Sequence, residues 1–296
     1  MKAIEIHHLK KYYGKARGIA DVTLSVEEGD FFGFIGPNGA GKSTTIRILL
    51  GLITATGGRA EIFGQDIRKN KTSLLGEIGY LPSEAMFYHG MRVRDVLRLS
   101  ADLHKKDCRE EAEELCRRLE LDTSRKVEEL SLGNRKKVGI VCAMQHKPRL
   151  YILDEPTSGL DPLMQREFYS LLQERNREGA TVFLSSHVLS EVQRYCRHAA
   201  VIREGRILVT DNVEKLGHTG AKRVTLRGVS QAPALSNIKD VECLPDAVSF
   251  LYSGEARTLL NALAPLPITD LTVAEPDLEE VFLHYYREEE KDNDHI

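Results

Sequence analysis

The chain has no C-x-x-C pair, no apolar run long enough to cross a bilayer and no strong bias to one charge. Its five cysteines, Cys108, Cys116, Cys142, Cys196 and Cys243, are odd in number and lack metal-site spacing. They read as reduced packing thiols of a cytosolic protein, not as a disulfide framework or a zinc site. The best apolar stretch, residues 46–53, is interrupted by Arg47, and a spanning helix needs roughly 18 or more such residues. The chain is therefore not expected to span a membrane by itself. Met1-Lys2-Ala3-Ile4-Glu5 carries no apolar core of a signal peptide. A formal net charge of −3 with 29% charged residues gives no electrostatic reason for a nucleic-acid partner. There is no internal repeat and no heptad stretch. A length of 296 residues accommodates one large domain and a smaller one.

What is present is more specific. Gly36-Pro37-Asn38-Gly39-Ala40-Gly41-Lys42-Ser43 matches G-x-x-x-x-G-K-[ST] in full. The apolar run Phe31-Phe32-Gly33-Phe34-Ile35 before it predicts a buried strand, and Thr44-Thr45-Ile46-Arg47-Ile48-Leu49-Leu50 after it predicts a helix. That is the context the motif requires. Its glycines let backbone N–H groups turn onto phosphate oxygens, and the helix that follows presents its positive end. Lys42 is expected to reach the β- and γ-phosphates and the Ser43 hydroxyl to ligate Mg²⁺, with residues 36–44 forming the cradle.

Strand-like runs at residues 3–8, 22–27, 31–35, 59–63, 150–153, 181–184 and 199–203 alternate in their later part with helical stretches. This predicts a mainly parallel, doubly wound α/β sheet. From about residue 83 to 148 charged amphipathic helix dominates, reading as a helical insertion. There Glu113–Arg117 and Glu114–Arg118 have i,i+4 spacing. A hairpin over residues 201–210 turns at Glu204-Gly205. Beyond the Gly217-His218-Thr219-Gly220 break come strands at 223–226 and 248–252, a helix at 254–263 and a final helix at 278–286, started by a capping box of Asp277 and Glu280. The acidic tail, residues 288–296, is expected to be disordered.

Leu150-Tyr151-Ile152-Leu153-Asp154-Glu155 reads as the fifth strand, ending in two acids. The first acid at such a strand end holds Mg²⁺, and the second can orient or deprotonate the attacking water. Hydrolysis is the chemistry expected. A guanine-nucleotide switch is disfavoured: Asp30-Phe31-Phe32-Gly33, the clearest D-x-x-G, precedes the phosphate loop, and Asn70-Lys71 lacks the Asp of N-K-x-D. ATP is the nucleotide expected.

The order of elements over about residues 4–216 resembles the ATP-binding subunit of an ABC transporter. The resemblance rests on seven elements: Tyr13 (with Tyr12 the alternative), the phosphate loop, Tyr80-Leu81-Pro82-Ser83-Glu84, Leu130-Ser131-Leu132-Gly133-Asn134, Asp154-Glu155, Ser158-Gly159-Leu160-Asp161, and His187 after Leu184-Ser185-Ser186. It implies a P-loop ATPase sheet with a helical insertion (residues 1–216) and a small α+β C-terminal domain (221–287). In function it implies ATP and Mg²⁺ as cofactors, with Tyr13 stacking on adenine. Glu155, His187 and Lys42 would be catalytic, and Ser43 and Asp154 would hold the metal. Ser83 and Glu84 stand at the Gln-loop position and Asp161 in the D-loop. Ser131, Gly133 and Asn134 would meet the ATP of a second subunit, in a homodimer or a heterodimer with another such ATPase. Ser131 is also a plausible N-cap for the basic segment Asn134-Arg135-Lys136-Lys137, whose free N–H groups suit a γ-phosphate.

Two positions depart from the family pattern. Ser83 is shorter than the glutamine usual there, so Glu84 or a water would have to make its contact. Leu132 replaces a glycine and Asn134 a glutamine; Leu132 is tolerable where φ is negative. Similar L-S-x-G signatures occur in the exporter branch. Glu275-Pro276-Asp277-Leu278-Glu279-Glu280-Val281-Phe282-Leu283 resembles the C-terminal extension of exporter ATPases, which move drugs, antibiotic peptides, lipids or glycans outward through a separate permease. The resemblance thus implies a peripheral motor at the cytoplasmic face of the cell membrane, docked to an integral-membrane permease. The alternative is a soluble ABC ATPase acting as a regulatory or assembly module.

Overall fold

The computed structural model describes residues 1–217, 222–229 and 231–274. The final helix, its capping box, the acidic tail and the 275–283 ending lie outside these residues. The chain divides into two units, residues 1–211 and 212–296.

The first unit runs β1 (Lys2–Tyr13), β2 (Ala16–Glu27), β3 (Phe31–Ile35), α1 (Lys42–Leu49), β4 (Gly57–Ile62), β5 (Gln65–Asp66), α2 (Lys71–Gly76), β6 (Ile78–Leu81), α3 (Val93–His104), α4 (Arg109–Arg118), a 3₁₀ turn (Val127–Glu129), α5 (Leu132–Met144), β7 (Leu150–Asp154), α6 (Pro162–Arg177), β8 (Thr181–Ser186), α7 (Leu189–Tyr195), β9 (His198–Arg203) and β10 (Arg206–Asn212). Its ten strands take the order β5-β4-β1-β2-β10-β9-β3-β8-β7-β6. Five of them, β9-β3-β8-β7-β6, are mutually parallel, whereas β1 pairs antiparallel with both β2 and β4. The doubly wound half is thus extended by an antiparallel half. Strands β3, β7 and β8 are buried along their whole length, and their apolar cores Phe31–Ile35, Leu150–Leu153 and Val182–Leu184 fit a sheet covered on both faces.

Two strands, β5 and β6, escape the sequence reading. The first has only two residues, and the second is the four-residue Ile78-Gly79-Tyr80-Leu81, too short to display a period. The acids at 154 and 155 consequently follow the seventh strand, not the fifth.

The insertion is helical, but its charges pair differently from the i,i+4 expectation. Arg117 binds Glu114 three residues before it, while Arg118 leaves its own helix to reach Glu167 at 2.5 Å and Glu174 at 2.6 Å on α6. A forked guanidinium with two facing carboxylates outcompetes one exposed neighbour. Arg175 of α6 reciprocates, pairing with Glu111 of α4.

The second unit comprises α8 (Val213–Gly217), β11 (Lys222–Arg227), β12 (Ile238–Leu244), β13 (Ala247–Tyr252), α9 (Ala256–Leu263) and β14 (Asp270–Ala274). Its antiparallel sheet has the order β12-β13-β11-β14. Val224, Leu226, Val248, Phe250 and Tyr252 pack against Leu259 and Leu263 of α9. The two strands that sequence misses are the edges: β14 is exposed throughout and alternates Leu271 and Val273 over only five residues, and β12 is nearly as exposed and spaces Ile238, Val241 and Leu244 three apart, off the strand period.

Phe183 on β8 is fully buried and flanked by Phe32 and Phe34, ring centroids 5.9 and 5.3 Å away. Phe183→Ala should cost about 3–5 kcal/mol, read as a lowered urea midpoint of the first unit.

Candidate functional site

The phosphate loop joins β3 to α1. Gly41 has φ +111°, and a Cβ there would lie 2.6 Å from Ile19 Cγ2. At Gly36 a Cβ would meet the Ile202 carbonyl at 2.2 Å. Both positions therefore exclude any side chain. The loop folds its lysine inward: Lys42 is buried, and its Nζ donates to the Gly36 carbonyl at 2.5 Å and the Pro37 carbonyl at 3.2 Å.

Glu155 meets that ammonium. Its Oε1 lies 3.3 Å from Lys42 Nζ, and its Oε2 lies 2.7 Å from His187 Nδ1, just beyond β8. Glu155 Oε1 is buried and makes this charge contact, but it accepts no hydrogen bond among the described residues. Asp154 is almost fully buried and accepts from Ser185 Oγ at 2.6 Å. Glu155 thus contacts two sequence-distant candidates, Lys42 and His187, through its two carboxylate oxygens, with Asp154 next to it in the chain.

Tyr13 ends β1 and is half exposed. A Cβ at Gly18 would lie 2.9 Å from the Tyr13 ring and 3.2 Å from Thr44 Cγ2, which places the ring beside the start of α1. Lys11 Nζ sits 5.0 Å from the ring centroid. Tyr12 is comparably exposed, at 43%.

Ser131 caps α5, its Oγ accepting from the Asn134 N–H at 3.3 Å. Gly133 runs so close to the 158–161 turn that a Cβ would lie 2.7 Å from the Gly159 carbonyl. Leu132 occupies the first helical position without positive φ and is 58% exposed, so no backbone strain attends its replacement of glycine. Asp161 caps α6, accepting from the N–H groups of Leu163 and Met164 at 3.0 Å each. Ser83 is half-buried and Glu84 exposed.

The basic segment after Ser131 is not a solvated patch. Lys136 and Lys137 are 3% and 8% exposed, and Lys136 Nζ donates to the carbonyls of Pro82, Ser83 and Glu155 at 2.9, 2.9 and 3.0 Å. Burial pushes the Lys136 ammonium down to about 8, against the opposing pull of the Asp154 and Glu155 charges. Sequence held one faint signal for this inward position: Lys136 shares a helix face with Gly139, Ile140 and Ala143 of the apolar run that begins at Val138.

Among the described residues no group of three or more His, Cys, Asp or Glu could hold a metal ion, and no helix is long and apolar enough to cross a membrane.

The family described as "ABC transporter" matches residues 19–158. The bacitracin transport ATP-binding protein BcrA of Bacillus licheniformis is 36% identical, over 95% of this chain and 96% of that protein. This chain belongs to the ABC transporter ATP-binding proteins. It is an ATPase whose hydrolysis is coupled to transport. The linearmycin resistance ATP-binding protein LnrL of Bacillus subtilis is 30% identical, over 95% of this chain and 97% of that protein. A solved ATP-binding subunit of an ABC transporter superposes with a TM-score of 0.69 at 30% identity, covering 72% of this chain and 91% of that one.

Lys42→Ala deletes the ammonium that the loop folds inward. Hydrogen bonds to charged groups contribute about 1.5–3 kcal/mol each, so ATP affinity should fall about 10- to 100-fold by titration calorimetry. Unchanged binding would contradict the phosphate-loop assignment.

Proposed function

We propose that this chain powers export through a separately encoded integral-membrane permease, docked at the cytoplasmic face and working as a homodimer or with a second ABC ATPase subunit. The observation that carries the catalytic part is the Glu155 carboxylate, held between Lys42 and His187. Glu155 takes a proton from the water that attacks the γ-phosphorus. Lys42 draws on the β- and γ-phosphate charge, and His187 orients Glu155 and senses the γ-phosphate. Tyr13 stacks on adenine, residues 36–44 cradle the phosphates, and Ser131, Gly133 and Asn134 close on the nucleotide of the opposite subunit, with Asp161 nearby at the dimer seam.

A hydroxyl and a buried carboxylate form a hard-oxygen donor set that suits Mg²⁺, which takes few protein ligands and fills the rest with water and phosphate. Ser43 and Asp154 would hold it, and it would neutralise charge on the β- and γ-oxygens. Support for the outward direction comes from the words "bacitracin transport" and "linearmycin resistance" in the relatives' names.

Glu155→Gln keeps the size of the side chain and removes its basicity. Turnover should drop about 10²–10⁴-fold with ATP binding retained, and an ATP-bound dimer should accumulate in size-exclusion chromatography. Near-normal phosphate release would move the base elsewhere.

Because catalysis by positioned groups degrades sharply with small misplacements, Ser83 and Leu132 should leave the isolated subunit a weak ATPase that the permease or a second subunit stimulates. Ser83→Gln with Leu132→Gly should raise basal phosphate release and reduce that stimulation. A wild-type chain that alone already reaches the ~10 s⁻¹ typical of enzymes, with no gain in the double variant, would show the two departures to be neutral. No stimulation by any permease would favour the soluble regulatory alternative.

A further inference from the structure

The Glu155 backbone is in the left-handed region, φ +48°, a conformation that is strained for a non-glycine residue. Such a residue stays there only when its surroundings over-determine it. On one side its N–H donates to the Ser185 carbonyl at 3.2 Å and lies 3.3 Å from Ser185 Oγ. On the other, its carbonyl accepts from Lys136 Nζ at 3.0 Å. The same ammonium spends its other two donors on Pro82 and Ser83, so the three N–H groups of a lysine meet three carbonyls. A buried cation is costly unless its donors are satisfied, and here all of its recorded bonds go to main chain.

The three acceptors belong to two segments that sequence keeps far apart: the turn after β6 and the turn after β7. Lys136 itself rides on α5, the helix that Ser131 caps. Close packing keeps that helix against the first turn, since a Cβ at Gly139 would lie 2.9 Å from Leu81 Cδ1 and 3.3 Å from Ala85 Cβ. A shift of either α5 or the 82–83 segment therefore pulls on the Glu155 main chain.

We propose that Lys136 is a positioning residue for hydrolysis, clamping the carbonyls of Pro82, Ser83 and Glu155 and so fixing the strained backbone from which the Glu155 carboxylate is aimed. The proposal rests on reading Glu155 as the base. It gives the 82–83 segment a main-chain route to Glu155 in a chain where Ser83 is too short to act through its side chain. The recorded Lys136 hydrogen bonds are all to main-chain carbonyls, so its loss should act on turnover and not on ATP binding.

The test compares wild type, Lys136→Met, Lys136→Gln and Glu155→Gln in the full chain, measuring kcat and KM for ATP by phosphate release and ATP affinity by calorimetry. Lys136→Met removes all three donors, and kcat should fall about 10²-fold, the cost of a misplacement near 1 Å, with KM and affinity unchanged. Lys136→Gln returns two N–H donors and should recover part of the loss at the same KM. If Lys136→Met does not fold, Lys136→Gln alone carries the comparison, with kcat reduced and KM unchanged. Normal kcat in the Lys136 variants beside an inactive Glu155→Gln overturns the clamp and leaves the base in place. A KM that rises in step with the loss of kcat overturns it too, by assigning Lys136 to nucleotide binding. Normal turnover in Glu155→Gln removes the reading on which the clamp depends.

Discussion

A glutamate just past the end of a fully buried strand, on left-handed backbone, is held by Lys42 and His187 at its carboxylate and by Ser185 and Lys136 at its main chain, and the geometry of the proposed nucleotide site depends on that restraint. Strand β7 lies between β6 and β8, so its end cannot move without breaking a ladder on either side. Ser185, on the neighbouring strand, bonds both Asp154 and the Glu155 N–H. The two acids thereby share one reference point while their side chains serve different neighbours. The lysine of the phosphate loop reaches Glu155 because β3 pairs with β8 and β8 with β7. Parallel strands in one sheet deliver their following loops to the same edge, where ligands of open α/β sheets collect.

Much of this could be read from the chain before its shape was known. Local motifs were legible because their chemistry is contained in a few consecutive residues: the phosphate loop needs its glycines and lysine within eight positions, and Asp154-Glu155 needs only an apolar strand before it. The Ser131 cap was legible for the same reason. Partners set by tertiary packing were not. Lys136 looked like one more charge in a basic run, because its acceptors are 19, 53 and 54 positions away. Arg118 looked like a surface helix pair, because Glu167 and Glu174 belong to a helix that only the fold brings alongside.

The small second unit shows a different limit. A strand announces itself through the side chains it buries, and its two central strands do so. The edges β12 and β14 bury little, so their few apolar residues stand out less, while they contribute the ladders that widen the sheet. The charged positions Lys239, Asp240 and Glu242 of β12 also fit the way exposed edges avoid pairing with other chains.

The distribution of thiols has a practical consequence. Cys108, Cys116 and Cys196 are buried, and burial pushes the thiol of Cys142, a residue of intermediate exposure, up to about 12. Cys243, on the edge strand β12, is the exposed one. Alkylating dyes attack the thiolate, so a maleimide fluorophore should attach to this single strand of the wild-type protein. The second unit thus carries a natural spectroscopic handle, far in sequence from the nucleotide machinery, through which its own motions can be followed during turnover without engineering a cysteine-free background.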